Sequence, residues 1–230
     1  MTTIFQKILA YIESIEPISS AINPQLRFGR NFLGQWWLID NKVTLSGTYM
    51  EGLWRHTYAT AQLNNTKPHR VLMLGFGAGS MAYELLRLAR RWPTMPKIVG
   101  IEWDPVILTV GTTVYGPTFD QRNVHRPLTA MTIIDSPHLV VHPIDVSNFL
   151  KNNAVTYDLI VIDLFESNTP SVLLSNSDFI QQIKNNLEPA GCCIVNVYKS
   201  VEQLAPFWRK IFTRFETSRY KTNTIMYLKP

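Results

Sequence analysis

From residue 70 onward, short apolar runs alternate with segments of helical periodicity. The apolar runs are RVLMLG, KIVGIEW, HLVVHPID, YDLIVIDLF, CCIVNVY and NTIMYLK. Strands that are apolar along their whole length are buried on both faces, and helices between them allow parallel pairing. The pattern predicts an α/β protein with a mostly parallel sheet and helices on both faces. Ligands of such sheets bind at the carboxyl ends of the strands.

The first 60 residues follow a different pattern. Residues 4–15 carry apolar side chains at helical spacing and predict an amphipathic helix. LRFGRNFLGQWWLIDNKVTLSGT predicts short strands, and YMEGLWRHTYATAQL predicts a helix. We therefore expect a helix and β-strand segment over residues 1–60 and an α/β domain over residues 61–230.

Charge and cysteine content narrow the function classes. The chain carries 22 Lys and Arg against 17 Asp and Glu, and no basic run is interleaved with aromatic residues as in a nucleic-acid interface. Nucleic acid is therefore not an expected partner.

Cys192 and Cys193 are adjacent in a predicted strand, so their side chains point to opposite faces of the sheet, which favours core packing over a disulfide. Two cysteines make no complete zinc set, and no metal is expected.

Neither a membrane span nor a secretion signal is predicted. No apolar run approaches the length that crosses a bilayer, and the first residues include Glu13 and Glu16. These observations predict a cytoplasmic protein with no membrane partner.

The stretch VLMLGFGAGSMAYELL, residues 71–86, places glycine at three alternate positions, Gly75, Gly77 and Gly79. A buried strand, a tight turn and a helix N-terminus in this order leave backbone N–H groups pointing at a ligand. The dinucleotide fingerprint would place a further glycine where Ser80 stands, which disfavours NAD. The loop predicts a nucleotide-like site without naming the nucleotide.

Acidic residues close three of the strands that follow the loop. Glu102 ends KIVGIE, Asp145 ends HLVVHPID and Asp163 ends YDLIVID. Because the carboxyl ends of parallel strands meet at one edge of the sheet, we expect these carboxylates to share a site with the glycine loop. Glu102 is placed to hold ribose hydroxyls; the alternative role, a helix cap, suits Asp104 better.

The order VLMLGFGAGS, GIEWDP, HPID and YDLIVIDLFE resembles the class I S-adenosylmethionine-dependent transferases, and within them the spermidine synthase-like (polyamine aminopropyltransferase) group. The resemblance covers roughly residues 30–200. It implies a Rossmann-like class I methyltransferase fold with a mostly parallel seven-stranded sheet. It also implies that the domain over residues 61–230 binds S-adenosylmethionine or its decarboxylated form.

The same resemblance implies roles for individual residues. The glycine loop would cradle the amino-acid side of the cofactor, Glu102 would hold the ribose, and Asp145 would accept the adenine amino group. Asp163 and Glu166 would face the reacting centre, with Glu166 standing in for an aspartate of the family. Glu166 would accept the amine proton or hold a cationic substrate; the alternative is a capping or solvent-facing carboxylate.

One departure bears on the transferred group. The synthases carry an aspartate in the glycine loop that anchors the free amine of the decarboxylated donor, and this chain has Ala78. The change favours intact S-adenosylmethionine, whose carboxylate needs a cationic partner. Arg55 is predicted to bind that carboxylate, against the alternative of a surface arginine lying over Trp54.

Three functions remain open on the sequence. Methyl transfer to a small amine is slightly favoured by Ala78, and aminopropyl transfer from decarboxylated S-adenosylmethionine is the alternative. A catalytically silent nucleoside-binding module is the third. The expected partner of either enzyme is a small-molecule amine, and the N-terminal strands with their tryptophans offer a surface for a homodimer.

Overall fold

The computed structural model describes residues 13–41, 43–119, 134–166 and 169–230. The N-terminal part of this structure is an antiparallel sheet of four strands in chain order, and the short strands predicted within residues 26–48 correspond to three of them. Its strands are β1 (Glu13–Pro17), β2 (Leu26–Asn31), β3 (Trp36–Asp40) and β4 (Val43–Gly47).

The predicted helix over residues 4–15 is wrong at its end. Residues 13–15 belong to β1, which pairs along its whole length with β2, and the earlier residues lie outside the described ranges. Cross-strand pairing outweighs the local helical spacing here, as tertiary context commonly does.

Two helices connect this sheet to the rest of the chain, α1 (Thr48–Thr60) and the short α2 (Leu63–Thr66). An eight-stranded sheet follows. In the sequence, a separate two-stranded hairpin lies between the fifth and sixth strands of this sheet, and it is formed by β10 (Phe165–Glu166) and β11 (Thr169–Pro170). The eight strands are β5 (Arg70–Leu74), β6 (Lys97–Ile101), β7 (Ile134–Ser136), β8 (Leu139–His142), β9 (Tyr157–Ile162), β12 (Leu187–Tyr198), β13 (Arg214–Tyr220) and β14 (Asn223–Lys229).

The spatial order of the sheet is β13-β14-β12-β9-β5-β6-β8-β7. The five strands from β12 to β8 are parallel. At one edge β14 pairs antiparallel with β12 and β13 pairs antiparallel with β14, and at the other edge β7 pairs antiparallel with β8. The predicted Rossmann-like α/β fold is confirmed, with the three-residue β7 as an additional edge strand.

Helices cover both faces of this sheet. They are α3 (Ser80–Ala89), α4 (Pro105–Phe119), α5 (Val146–Asn152), α6 (Ser177–Asn185) and α7 (Val201–Arg209). One hydrophobic core contains Trp54 and Leu85, and the other contains Ile160 and Trp208. Because both faces are covered, the central strands are apolar throughout.

The stretch VEQLAPFWRKIFTRF, residues 201–215, predicts a helix from its sequence, but the helix ends at Arg209. Residues 214–220 form β13, which pairs with β14 at the edge of the sheet. Its exposed and partly buried positions largely alternate, and Arg214 and Glu216 are exposed. Charged side chains of this kind protect an edge strand against further pairing.

Residues 118–138 fit no helix or strand pattern in the sequence, which predicts a loop over the site, and most of them lie outside the described residues. Within the part of the chain that the structure describes, no helix has the length and apolar character of a membrane span.

Candidate active site

A cavity of about 570 Å³ lies at the carboxyl edge of the parallel strands. Its volume is within the range of small-molecule sites. Residues of the N-terminal segment and of the larger sheet line it, including Ile22 and Leu45 from the former and Ile101 and Asn196 from the latter. The strand ends therefore form one side of the cavity, and the N-terminal segment helps to enclose it.

Six of the eight sequence-predicted site residues line this cavity. They are Gly75, Gly77, Glu102, Asp145, Asp163 and Glu166. The four acidic residues among them are the charged residues of the lining, and no described lining residue is Lys, Arg or His. Because the fixed charges have one sign, the cavity favours cationic ligands.

The glycine loop depends on left-handed backbone at Gly75 and Gly77, whose φ angles are 78° and 60°. A Cβ atom on Gly75 would lie 2.2 Å from the carbonyl oxygen of Asp163. The missing side chain thus allows the loop to approach the end of β9, where Asp163 stands.

The backbone N–H groups of this loop bind within the protein. Gly77 N–H donates to Glu102 Oε2 at 2.7 Å, and Ala78 N–H donates to Ser46 Oγ at 2.8 Å. Gly75 and Phe76 N–H both donate to the carbonyl oxygen of Ile101. The expectation that these groups point at a ligand is therefore wrong, because neighbouring residues already use them.

Glu102 links the end of β6 to the glycine loop. Besides Gly77, its carboxylate accepts the N–H groups of Trp103 at 2.8 Å and Asp104 at 3.1 Å. Burial raises the pKa of Glu102, and these three hydrogen bonds oppose that shift. Asp104 caps α4 by accepting the N–H of Val106 at 2.8 Å, the role that the sequence favoured for it.

Glu102→Gln is expected to weaken the binding of an adenosyl nucleoside about tenfold to a hundredfold. Replacing the carboxylate removes charge-assisted bonds of about 1.5–3 kcal/mol, both to the predicted ribose and within the loop. Calorimetric titration measures the change. Glu188→Gln is the matched control, because Glu188 bonds Arg70 and does not line the cavity. Unchanged affinity in Glu102→Gln would contradict the ribose assignment.

Asp163 is held at the end of β9. Its Oδ1 accepts a hydrogen bond from Asn196 Nδ2 at 2.9 Å, and its N–H donates to Leu74 O. Burial, aided by the nearby charge of Glu102, raises the pKa of Asp163 to about 7 although the Asn196 bond opposes this. A carboxylate with such a pKa is suited to exchanging a proton at neutral pH.

Glu166 stands in the hairpin of β10 and β11. Its side chain is exposed, and its Oε1 accepts a hydrogen bond from the buried Ser171 hydroxyl at 2.6 Å. Ser171 also accepts the Leu173 N–H and so begins a 3₁₀ turn. The hairpin therefore holds the Glu166 carboxylate at the cavity.

Asp145 serves as the N-cap of α5, where its Oδ1 accepts the Asn148 N–H at 3.0 Å. It also lines the cavity beside Val146. The cap fixes the carboxylate and leaves it available to a ligand.

The structure does not bring Arg55 to the cavity, so the predicted contact with a cofactor carboxylate is wrong. The Arg55 guanidinium binds both carboxylate oxygens of Glu84, at 2.7 Å and 3.2 Å. Glu84 lies on α3, is 1% exposed and also pairs with Arg87. This buried carboxylate, rather than a ligand, explains the orientation of Arg55.

Gly79 and Ala78 are also absent from the lining. Gly79, with φ 101°, is the N-cap of α3, and Ala78 is fully buried. The Ala78 carbonyl lies against Gly111 of α4, where a Cβ atom would come within 2.4 Å of it.

Sequence reasoning missed several polar lining residues, among them Tyr49, Asn196, Tyr198 and Asn223. Tyr49 lies in the first turn of α1, and the sequence predicts a helix that begins at this residue. Asn196 is a lone polar residue within the apolar run CCIVNVY, which was the one available signal. Within the described ranges no group of three or more His, Cys, Asp or Glu side chains is arranged to hold a metal ion.

Comparison with known proteins finds one matching family and many solved structures with a similar fold. The model of the spermine/spermidine synthase domain matches residues 55–207. A polyamine aminopropyltransferase of Nitrosomonas europaea is 28% identical over 134 residues. That alignment covers 58% of this chain and 37% of the relative, so the chain spans little more than a third of the relative's length.

Solved structures agree on the fold. Spermidine synthase from Thermotoga maritima has a TM-score of 0.64 at 14% identity, covering 92% of this chain and 72% of that one. A spermidine synthase in complex with the transition state analogue AdoDATO has a TM-score of 0.61 at 14% identity, covering 95% and 79%. At these identities the likeness supports the fold alone.

Proposed function

Because the chain belongs to the spermine/spermidine synthase domain family, we propose that it transfers an aminopropyl group from decarboxylated S-adenosylmethionine to a small amine. The observation that carries the proposal is the charge of the cavity. Its described charged residues are the four carboxylates Glu102, Asp145, Asp163 and Glu166. The decarboxylated donor carries a sulfonium and an ammonium and no carboxylate, so each of its charges is complementary to this lining.

The sequence-based preference for methyl transfer loses its support. It required a cation for the carboxylate of intact S-adenosylmethionine, and Arg55 is bound to Glu84 away from the cavity. A carboxylate without such a partner would face the four acidic side chains, an arrangement that costs free energy. Two relatives that match in sequence, from Nitrosomonas europaea and Oceanobacillus iheyensis, are polyamine aminopropyltransferases, which favours the same conclusion.

The proposed reaction is a displacement at carbon. The lone pair of the acceptor amine attacks the aminopropyl carbon that is bonded to the sulfonium. The bond between that carbon and sulfur breaks, and its electrons neutralise the sulfur, which becomes a thioether. The product is a secondary ammonium, so one proton is released in the whole reaction, the one that the acceptor loses before the attack. An alkyl ammonium has a reference pKa of about 10, so the acceptor must first be deprotonated near neutral pH.

Asp163 is our candidate for that proton transfer. Its pKa of about 7 matches the task, and its Oδ2 has no hydrogen-bond partner among the described residues. Glu166 is proposed to hold the ammonium of the acceptor, since its carboxylate is fixed by Ser171 at the exposed side of the cavity. Phe165 and Leu164 add apolar surface to the same wall.

Incubation of the purified protein with decarboxylated S-adenosylmethionine and a diamine tests the proposal. The expected products are methylthioadenosine and the aminopropylated amine, formed in equal amounts and detected by mass spectrometry. Parallel incubation with intact S-adenosylmethionine is expected to yield no methylated amine. Methyl transfer would overturn the proposal, and binding of nucleoside without turnover of either donor would favour the silent module.

Glu166→Gln is expected to raise the KM for the amine and to leave the affinity for the donor nearly unchanged. The amide keeps the shape and the Ser171 contact but removes the charge that attracts an ammonium. Steady-state kinetics measure the change, and Glu216→Gln is the control, since Glu216 lies exposed on edge strand β13. A KM equal to that of the parent would remove Glu166 from amine binding.

A further inference from the structure

Four cavity residues from different elements form a continuous chain of hydrogen bonds. Tyr49 OH donates to Asn223 Oδ1 at 2.6 Å, and Asn223 Nδ2 donates to Asn196 Oδ1 at 3.0 Å. Asn196 Nδ2 then donates to Asp163 Oδ1 at 2.9 Å. All the donors point in one direction, so the chain connects a phenol of α1 with the carboxylate after β9.

The two asparagines at the centre of this chain are buried. Asn196 is 1% exposed and Asn223 is 6% exposed. Asn196 lies between Val195 and Val197 in β12, and Asn223 is the first residue of β14. A buried amide costs free energy unless its groups are paired, and here each asparagine donates to one member of the chain and accepts from another.

Asn196 also supports an unusual turn of the backbone. The register between β12 and β14 shifts between Asn196 and Tyr198, and Tyr198 has a φ of 52°. The Asn196 Oδ1 accepts the Tyr198 N–H at 3.1 Å and so holds this left-handed residue, which lines the cavity. Backbone of this kind is costly and persists where the surroundings fix it.

We propose that Asn196 and Asn223 are positioning residues that hold the Asp163 carboxylate and the Tyr49 phenol in a fixed orientation at the cavity. Oδ1 of Asp163 is occupied by Asn196, so Oδ2 is the atom turned to a ligand. This inference rests on the proposed aminopropyl transfer and adds to it the residues that set the geometry of the proton acceptor.

The chain of hydrogen bonds from Tyr49 to Asp163 also affects the charge of the Asp163 carboxylate. Each hydrogen bond donated toward the carboxylate favours its ionised form, and aligned bonds polarise one another. The groups that oppose ionisation are the Glu102 carboxylate and burial itself. The other titratable groups at the cavity are Asp145, Glu166, Tyr49 and Tyr198, and the buried Tyr58 also interacts with Asp163. Loss of the Asn196 bond removes one contact that favours the ionised form of Asp163. Burial and the Glu102 charge, which oppose ionisation, remain.

Asn196→Leu is the test variant, because leucine has nearly the same shape and cannot donate. If the lost bond raises the pKa of Asp163 by about one, the ionised fraction at pH 7 falls about fivefold. The ratio of variant to parent transfer rates is therefore expected to be lowest at pH 6 and below and to rise toward one at higher pH. The titration of the amine itself cancels in this ratio.

Carboxyl ¹³C NMR provides a readout that needs no turnover. The Asp163 resonance is identified by its absence from Asp163→Asn, and its titration midpoint is followed in each variant. We expect the midpoint to rise in Asn196→Leu and to rise less in Asn223→Leu, which is one bond further away. Asn186→Leu is the control, since Asn186 is a buried asparagine at the opposite end of β12 and bonds Gln182 and Asn153.

An Asp163 midpoint that is the same in Asn196→Leu and in Asn186→Leu would overturn the inference. If Asn196→Leu does not fold, Asn223→Leu and Tyr49→Phe decide it by the same readout, with a smaller upward shift expected in each. A parent protein without aminopropyl transfer would instead refute the proposed function, because the NMR titration would still report whether the network controls Asp163.

Discussion

Asp163→Asn is expected to lower the rate of aminopropyl transfer at pH 7 about a hundredfold to ten-thousandfold, the usual contribution of a proton acceptor. Asparagine keeps an oxygen for the Asn196 bond but cannot accept a proton. Donor affinity should change little, and steady-state kinetics with calorimetry separate the two effects. The matched control is Asp158→Asn, on the same strand, where the carboxylate accepts the N–H groups of His69 and Arg70 away from the cavity.

The same substitution also has an expected effect on stability. The folded-state pKa of Asp163, about 7, is above the value of about 4 for an unfolded chain. The folded state therefore holds this proton more tightly, and the resulting stability is lost as the pH rises from about 4 through 7. The amide of the Asp163→Asn variant does not titrate, so the free energy of unfolding of the variant relative to the parent should rise over this window.

Denaturant unfolding at a series of pH values measures this difference. Glu102, whose pKa burial also raises, contributes in the same direction in both proteins, and because its charge interacts with Asp163 the difference reports the two coupled carboxylates. A flat difference between pH 4 and pH 8 would mean that Asp163 has an ordinary pKa and is a poorer candidate for the proton acceptor.

Gly75→Ala is expected to cause the largest loss of stability among the glycine substitutions considered. Left-handed backbone costs about 1–2 kcal/mol for a residue with a Cβ atom, and overpacking adds about 1–3 kcal/mol. The new Cβ would lie 2.2 Å from the Asp163 carbonyl oxygen, a backbone atom that cannot rotate away. The free energy of unfolding should fall by about 2–5 kcal/mol.

Gly34→Ala separates the two causes. Gly34 has nearly the same φ, 75°, but no heavy atom lies within 4 Å of its would-be Cβ. Its substitution should therefore cost about 1–2 kcal/mol, the left-handed backbone alone. Equal losses in the two variants would contradict the close approach of the glycine loop to Asp163.

The acidic half of the site was predictable because it depends on strand ends. Glu102, Asp145 and Asp163 each follow an apolar run, and parallel strands bring their carboxyl ends to one edge. Their arrival at one cavity required only the strand assignments to be right. Glu166 follows Asp163 by three residues and reaches the same cavity through a short hairpin.

The other features of the site were not predictable, because they depend on the directions of side chains and on contacts between residues far apart in the sequence. The orientation of Arg55 is set by Glu84, 29 residues later, and nothing in the local pattern indicates that pairing. The asparagine pair joins positions 196 and 223 across two antiparallel strands, and the bulge at Tyr198 has no sequence signature. The N–H groups of the glycine loop were misassigned because their acceptors, among them Ser46, lie in a different sheet.

The central claim is that an acidic cavity without a described cationic residue accepts a carboxylate-free donor. Calorimetric titration of the protein with S-adenosylmethionine and with its decarboxylated form tests it most directly. The account predicts tighter binding of the decarboxylated form, and a difference that shrinks at high salt as charge interactions are screened. Tighter binding of the intact form would contradict the account and would return methyl transfer to first place.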